Sequence, residues 1–286
     1  MNTQFWVIQA FNGISYGALL FLVGSGLSLI FGVMRIVNLS HGAYFLWGGY
    51  IALSVIHTTG SWALSLPVAA LAVAVIGLLM ERVFLRPLGF DPLRQVLLTV
   101  GFAFLFQQGA LDIWGGNNMD INPPGALTQS VVIGGMYFPL YRLFMIGMAL
   151  AIGLLLWLVM EKTRMGAAVR ATVDDAQMAR GVGIDTSRIS MFIFALGAFL
   201  AALGGVIGGA FLGIYPGLDF EMLPLAFAVV IIGGMGSLGG AAIGALAVGL
   251  ADNFGKALFP EVSYFTLYAP MVLILAIKPT GLFGRE

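Results

Sequence analysis

The sequence predicts an all-α integral membrane protein, and three observations predict it. Of 286 residues, 60% are hydrophobic and only 9% are charged, where an ordinary soluble domain carries about 25% charged residues. Apolar stretches of about 20 residues, the length a helix needs to cross a bilayer, recur along the whole chain. The 40 glycines concentrate within those stretches, often four residues apart, the spacing that lets helices approach closely in lipid. A soluble chain of this size has too little interior to hide so much apolar surface. The formal net charge of zero points away from nucleic acid and other polyanions. Cysteine is absent, which excludes disulfides, thiolate metal sites and a cysteine nucleophile.

In chain order, hydropathy marks about eight membrane-embedded segments, near 7–32, 42–58, 63–85, 95–113, 140–160, 189–213, 222–251 and 263–278. The first is too long for a leader's apolar core, and no Lys or Arg precedes Arg35. It is expected to be a retained span. Residues 1–286 read as one transmembrane domain, with a long basic loop at 161–188.

Cytoplasmic loops retain positive charge, so the basic residues orient the bundle. With the N-terminus outside, the inner loops receive Arg35, Arg82, Arg86, Arg94, Lys162, Arg164, Arg170, Arg180 and Arg188. Lys278 and Arg285 place the C-terminus inside as well, leaving only Arg142 and Lys256 outside. Segment 222–251 must then enter and return on the same side, and Gly233, Gly234, Gly236, Gly239 and Gly240 interrupt it midway. Broken backbone at membrane depth needs cover from protein or a watery path. A single straight crossing with the C-terminus outside is the other reading.

The sixth segment carries Gly197, Ala201, Gly205, Gly209 and Gly213 at four-residue spacing, and Gly236, Gly240 and Gly244 continue the pattern in the seventh. Close helix packing is expected along both.

Loop 161–188 is the most informative polar stretch. Thr172 and Asp175 are spaced as a capping box, Asp174 and Asp175 suit the positive end of a short helix, and Arg180 suits its negative end. Gly181 and Gly183 can end it, and Asp185 can cap the next span. The expected product is a short cytoplasmic helix with a small, flat face of Ala176, Ala179 and Gly183. By physics alone it is equally a docking knob or a connector.

Near the membrane, His41 with Asn38 and Ser40 reads mainly as a fixed turn between two spans, with a gating role as the rival. Gln107 and Gln108 fall within the fourth segment and are open between lining a path and bonding between helices. Arg142 is expected to pair with Asp112 or Asp120. No P-loop pattern, HExxH, Cys/His cluster or G-x-S-x-G element occurs, so any nucleotide hydrolysis belongs to another chain. No carboxylate within the segments pairs with Lys or Arg, which counts against an ion-coupled pump.

The run from Thr163 to Gly209, containing GAAVRATVDDAQMARGVGIDTSRI, resembles the branched-chain amino acid permeases of ATP-binding cassette importers. Asn38-Leu39-Ser40-His41-Gly42 and the glycine break at Gly233–Gly240 are similar to elements of the same family, and the likeness covers essentially the whole chain. The resemblance implies a non-enzymatic permease subunit of a bacterial inner membrane, embedded in lipid and without a cofactor of its own. It further implies a second related permease subunit, in a heterodimer rather than a homodimer. Two cytoplasmic ATPases that bind ATP and Mg complete it, with a periplasmic substrate-binding protein. The helix around Asp174, Asp175, Ala176, Ala179, Arg180 and Gly183 is then the coupling helix. The match to the wider importer motif is imperfect, since Asp175-Ala176 stands where Glu-Ala is expected. The competing expectation is a stand-alone secondary transporter or channel. A membrane enzyme built on His41 lacks a constellation, and the solute is not legible.

Overall fold

The computed structural model describes residues 3–89, 91–278 and 280–284; Arg285 lies outside them. Eleven α-helices are described: α1 Thr3–Met34, α2 His41–Thr59, α3 Trp62–Met80, α4 Pro92–Trp114, α5 Leu140–Lys162, α6 Arg164–Asp174, α7 Ala176–Gly181, α8 Thr186–Leu212, α9 Leu218–Gly233, α10 Leu238–Leu258 and α11 Ser263–Ile277. A π-helical turn at Glu81–Leu85 and a 3-10 turn at Arg86–Leu88 prolong α3. The exception to an all-helical chain is a hairpin of β1 Ser130–Ile133 and β2 Met136–Pro139, in the loop between α4 and α5. Among the described residues six helices are long and apolar enough to cross a membrane: α1, α3 with its extension, α4, α5, α8 and α10.

Helices α1 and α8 are the hub. Their most apolar windows are 78% and 72% buried, against 17% and 22% for α4 and α5 at the periphery. The hub forms because small residues let backbones touch, which lipid alone would not drive. A Cβ at Gly26 would run into the Gly197 carbonyl, and one at Gly205 into the Phe45 carbonyl. Gly209 is closed off by Ile214 and Ile121, and Gly204 by Val23. The glycine ribbon of α8 therefore serves two neighbours, α1 and α2, rather than one.

Helix α10 lies antiparallel to α1 over nearly its full length. Gly249 meets Gly13 and Gly17, and Gly32 meets Gly236 at the other end. Using α1 as a ruler, the glycine break sits level with its C-terminal end, where Arg35 and α6–α7 also lie, and not at mid-depth in the bundle. The segment expected at 222–251 is two helices that reach past it on both sides, α9 with 16 residues and α10 with 21, so α10 is a full helix and not a half-helix. The two pack antiparallel, with Gly240 against Gly233 and Gly244 against the Val229 carbonyl. At the break Gly234 (φ 100°) and Gly236 (φ 83°) take left-handed conformations that a Cβ would disfavour.

Between α1 and α2 the chain turns back into the bundle. Residues 35–38 are without regular structure, and α2 starts at His41, whose ring nitrogen Nε2 lies 3.0 Å from the Val23 carbonyl. Val23 is eleven residues before Met34, roughly 16 Å of helix at 1.5 Å per residue. Helix α2 thus begins deep in the bundle and runs beside α4, with Leu39 N–H on Thr99 Oγ1 (3.2 Å) and Trp47 Nε1 on the Phe106 carbonyl (2.8 Å).

Candidate functional site

At the Arg35 end of the bundle, α6 and α7 project between α5 and α8. Thr163 caps α6, its hydroxyl accepting from Gly166 N (3.1 Å). The capping box expected at Thr172 is absent for that reason: α6 has already begun, and the Thr172 hydroxyl donates to the Ala168 carbonyl within it (2.8 Å). Asp175 starts α7 instead, its carboxylate accepting from Gln177 N (2.8 Å) and Met178 N (3.0 Å). Arg180 lies at the other end of α7, Nε on the Ala176 carbonyl (3.1 Å). Gly183, at φ 89°, ends the turn. Asp185 caps α8, accepting from Arg188 N (3.1 Å). Arg170 anchors the projection to α5 by donating to the Met160 carbonyl and pairing with Glu161 at 3.6 Å.

The expected small face turns inward. Ala179 is 3% exposed, packed against its own chain. Ala176 is half-buried, while Asp174, Asp175, Arg180 and Gly183 are exposed. The side chains held outward are Met178 (69% exposed) and Val182 (76% exposed). Four residues apart across a capped turn, they form an apolar tip on an otherwise polar projection. Their spacing was visible in the sequence, but the direction of the helix was not.

A furrow of about 1300 Å³ runs between α5 and α10, with α1 as its floor. Apolar side chains such as Ile14, Ile146 and Leu246 line one end. Arg35, Glu161, Arg170 and Asp174 line the other, so charges of both signs meet at the mouth beside α6. Thr280, Phe283 and Gly284 form part of the same mouth. Gly236 and Gly239 line the furrow too, and Gly239 has open space where a Cβ would sit.

Asn38, Ser40 and His41 come together, but away from the furrow, and each is fully buried. Asn38 Oδ1 accepts from Ser40 N (3.1 Å) and Ser40 Oγ (2.7 Å), which ties the turn into α2. Tyr44 adds its hydroxyl on Met80 Sδ at 3.0 Å. Gln107 is half-buried on α4. Gln108 is exposed, and its Nε2 donates to Asp112 Oδ1 (2.9 Å). Asp112 is thereby taken, and Arg142 instead donates to Asn12 Oδ1 and sits 4.9 Å from the Phe211 ring centre.

Sequence reasoning also missed an ion pair inside α10. Lys256 Nζ lies 2.8 Å from Asp252 Oδ2, and the Asp252 side chain is only 9% exposed. Hydropathy ended the segment at 251, whereas α10 continues to Leu258, with the (i, i+4) lysine offsetting the carboxylate. Among the described residues no group of three or more His, Cys, Asp or Glu could hold a metal ion.

Residues 9–275 match the family described as branched-chain amino acid transport system, permease component. The chain is 30% identical to the high-affinity branched-chain amino acid transport system permease protein LivH of Escherichia coli K12, over 100% of this chain and 98% of that protein. It is 29% identical to the corresponding protein BraD of Pseudomonas aeruginosa, over 97% of this chain and 95% of the relative. Likeness extends to LivM of Escherichia coli K12, at 28% identity over 91% of this chain and 67% of LivM. No solved structure matches the chain.

Proposed function

The chain belongs to the branched-chain amino acid transport permease family, and from that premise we propose that it is the membrane-spanning permease subunit of an ATP-driven importer of branched-chain amino acids. It is a transport subunit and not an enzyme; ATP and Mg bind in partner chains. Relatives of both the LivH and the LivM type are permease proteins of one such system, which supports pairing with a second, related permease as a heterodimer. Two cytoplasmic ATPases and a periplasmic binding protein complete the assembly in the bacterial inner membrane. Our reading keeps the N-terminus outside and the C-terminus in the cytoplasm, with the Arg35 end and α6–α7 on the cytoplasmic side. It takes eight membrane-embedded segments, with α9 and α10 together as one that enters and returns.

The observation that carries the reading is the capped α6–α7 projection with its apolar tip, because it gives a soluble partner something to hold. Asp174, Asp175, Ala176, Ala179, Arg180 and Gly183 build or flank that projection, while Met178 and Val182 make the contact. The furrow between α5 and α10 is half of the translocation path, completed by the second permease. Both charge signs at its mouth suit an amino acid that carries an ammonium and a carboxylate, and the apolar length suits a branched side chain. Asn38, Ser40 and His41 fix the start of α2 rather than touch solute.

Reconstitution tests this. Proteoliposomes holding both permeases and the ATPases, supplied with binding protein, are expected to accumulate radiolabelled leucine only with ATP inside the compartment facing the ATPases. If this chain alone moves leucine down its gradient and no ATPase ever co-purifies, the secondary-transporter reading replaces it.

A further inference from the structure

The C-terminal residues 280–284 make contacts that the transport reading leaves unused. Helix α9 ends at Gly233, and the last carbonyls of a helix have no donor of their own. Leu282 N donates to the Ile232 carbonyl and Phe283 N to the Gly233 carbonyl, both at 3.0 Å. The approach is backbone to backbone: a Cβ at Gly281 would meet the Ile231 carbonyl, and one at Gly234 would meet Gly284 N. Lys278 Nζ, donating to the Leu282 carbonyl at 2.9 Å, and Gly281 N, on the Lys278 carbonyl at 2.9 Å, fold the segment into a turn. Thr280 and Phe283 face the furrow mouth, opposite Arg35 and Glu161.

The break that this segment caps is also held within the α9–α10 pair, where Gly240 lies against Gly233. On its α1 side stand the Ser28 hydroxyl on the Ser237 carbonyl, at 3.4 Å, and the bare contact of Gly32 with Gly236. Neither interlocks side chains. Gly234 and Gly236, both left-handed, make a two-glycine pivot at the foot of α10. A two-glycine pivot at the furrow mouth gives the foot of α10 a place to turn once the cap on α9 is released.

We propose that residues 280–284 are a releasable strap that caps the end of α9, steadies the α9–α10 break and narrows the cytoplasmic mouth of the furrow. Releasing it lets the foot of α10 swing away from α1 and opens the mouth. The inference rests on the furrow being the translocation path.

The chain has no cysteine, so a single introduced thiol reports without background. Ala242→Cys places one on α10 inside the furrow, to be labelled with a membrane-impermeant maleimide from the cytoplasmic side of inverted vesicles holding the assembled complex. Gly281→Val puts a branched side chain where φ is 80° and the Ile231 carbonyl leaves no room, so it displaces the strap. Phe283→Ala keeps the strap's backbone bonds and removes only the side chain at the mouth. We expect Gly281→Val to speed labelling about tenfold, the size of an ordinary conformational coupling, and Phe283→Ala to speed it less. If Gly281→Val does not reach the membrane, Phe283→Ala decides: unchanged labelling overturns the strap. Unchanged labelling in both variants does the same. The importer reading is tested separately by ATPase co-purification with the wild type, which does not depend on labelling.

Discussion

Replacing both Met178 and Val182 by alanine removes the two apolar side chains that the α6–α7 projection holds away from the bundle. Fully burying a methionine or valine side chain is worth about 1.5–3 kcal/mol. Met178 is 69% exposed and Val182 76% exposed in the isolated chain, so most of that gain is still available on docking. It amounts to about 1–2 kcal/mol each and about 2–4 kcal/mol for the pair. At 1.4 kcal/mol per tenfold, the ATPase should bind roughly 30- to 700-fold more weakly. The assay is a titration of the ATPase onto the permease pair in nanodiscs, read as Kd, with ATP-driven leucine uptake measured on the same preparation. Alanine is chosen because it favours helix and leaves the Asp175 cap in place. Ala179→Arg is the contrasting variant. Its side chain would be forced into a site that is 3% exposed, so it should lower the melting temperature of the permease whether or not ATPase is present. An unchanged Kd for the double alanine variant, with uptake intact, would refute the docking argument.

Four further outcomes follow from packing and pairing. Gly205→Val drives a branched side chain into the Phe45 carbonyl and should cost about 1–3 kcal/mol or more, read as a lower melting midpoint in detergent. Gly239→Ala, with open space at its Cβ, should melt like the wild type. His41→Ala empties a fully buried site and loses the contact to the Val23 carbonyl, for about 2–4 kcal/mol. Uptake per assembled complex should nevertheless stay close to wild type; loss of uptake at unchanged stability would show that His41 gates. Lys256→Met strands the Asp252 carboxylate and should destabilise by about 1–3 kcal/mol, the lower end because the lysine is largely in solvent. Adding Asp252→Asn should restore most of it, which a double-mutant cycle on melting midpoints measures.

Where the sequence was legible, the signal was additive along the chain. Apolar length marked the spans, and four-residue glycine spacing marked the α8 ribbon that now packs on Phe45, Ile30 and Ile214. The illegible features depend on which partner reaches a group first. Thr172 and Asp175 have the spacing of a capping box, yet Thr163 had already started α6, so Thr172 falls in its interior. Ala179 reads as a smooth surface residue, but the turn of α7 that Asp175 sets points it at its own chain and sends Met178 outward. Asp252 looks like the end of a span until Lys256 is counted with it. The glycine break was legible as a break. Its place in the chain was legible too, but its depth was not, because the close contact of Gly32 with Gly236 sets it level with the end of α1.

The placement of these features bears on how a push on α7 could reach the furrow. Asp175 and Asp185 cap α7 and α8 on either side of a short turn, so the projection joins α8 through only a few residues of chain. Helix α8 meets α1 through Gly197, Gly204 and Gly208, and α2 through Gly205. Where Gly26 meets the Gly197 carbonyl and Gly205 the Phe45 carbonyl, the contact is to backbone, with no long side chain there to bend and absorb a displacement. A shift of α8 is therefore passed on to α1 and to the buried start of α2. Helix α1 in turn floors the furrow and meets the foot of α10 at Ser28 and Gly32. Glycines close the α1–α10 seam at both ends, Gly249 on Gly13 and Gly17 and Gly236 on Gly32, so a displacement of α1 is carried to α10 along its length and reaches the furrow through both its floor and its α10 wall.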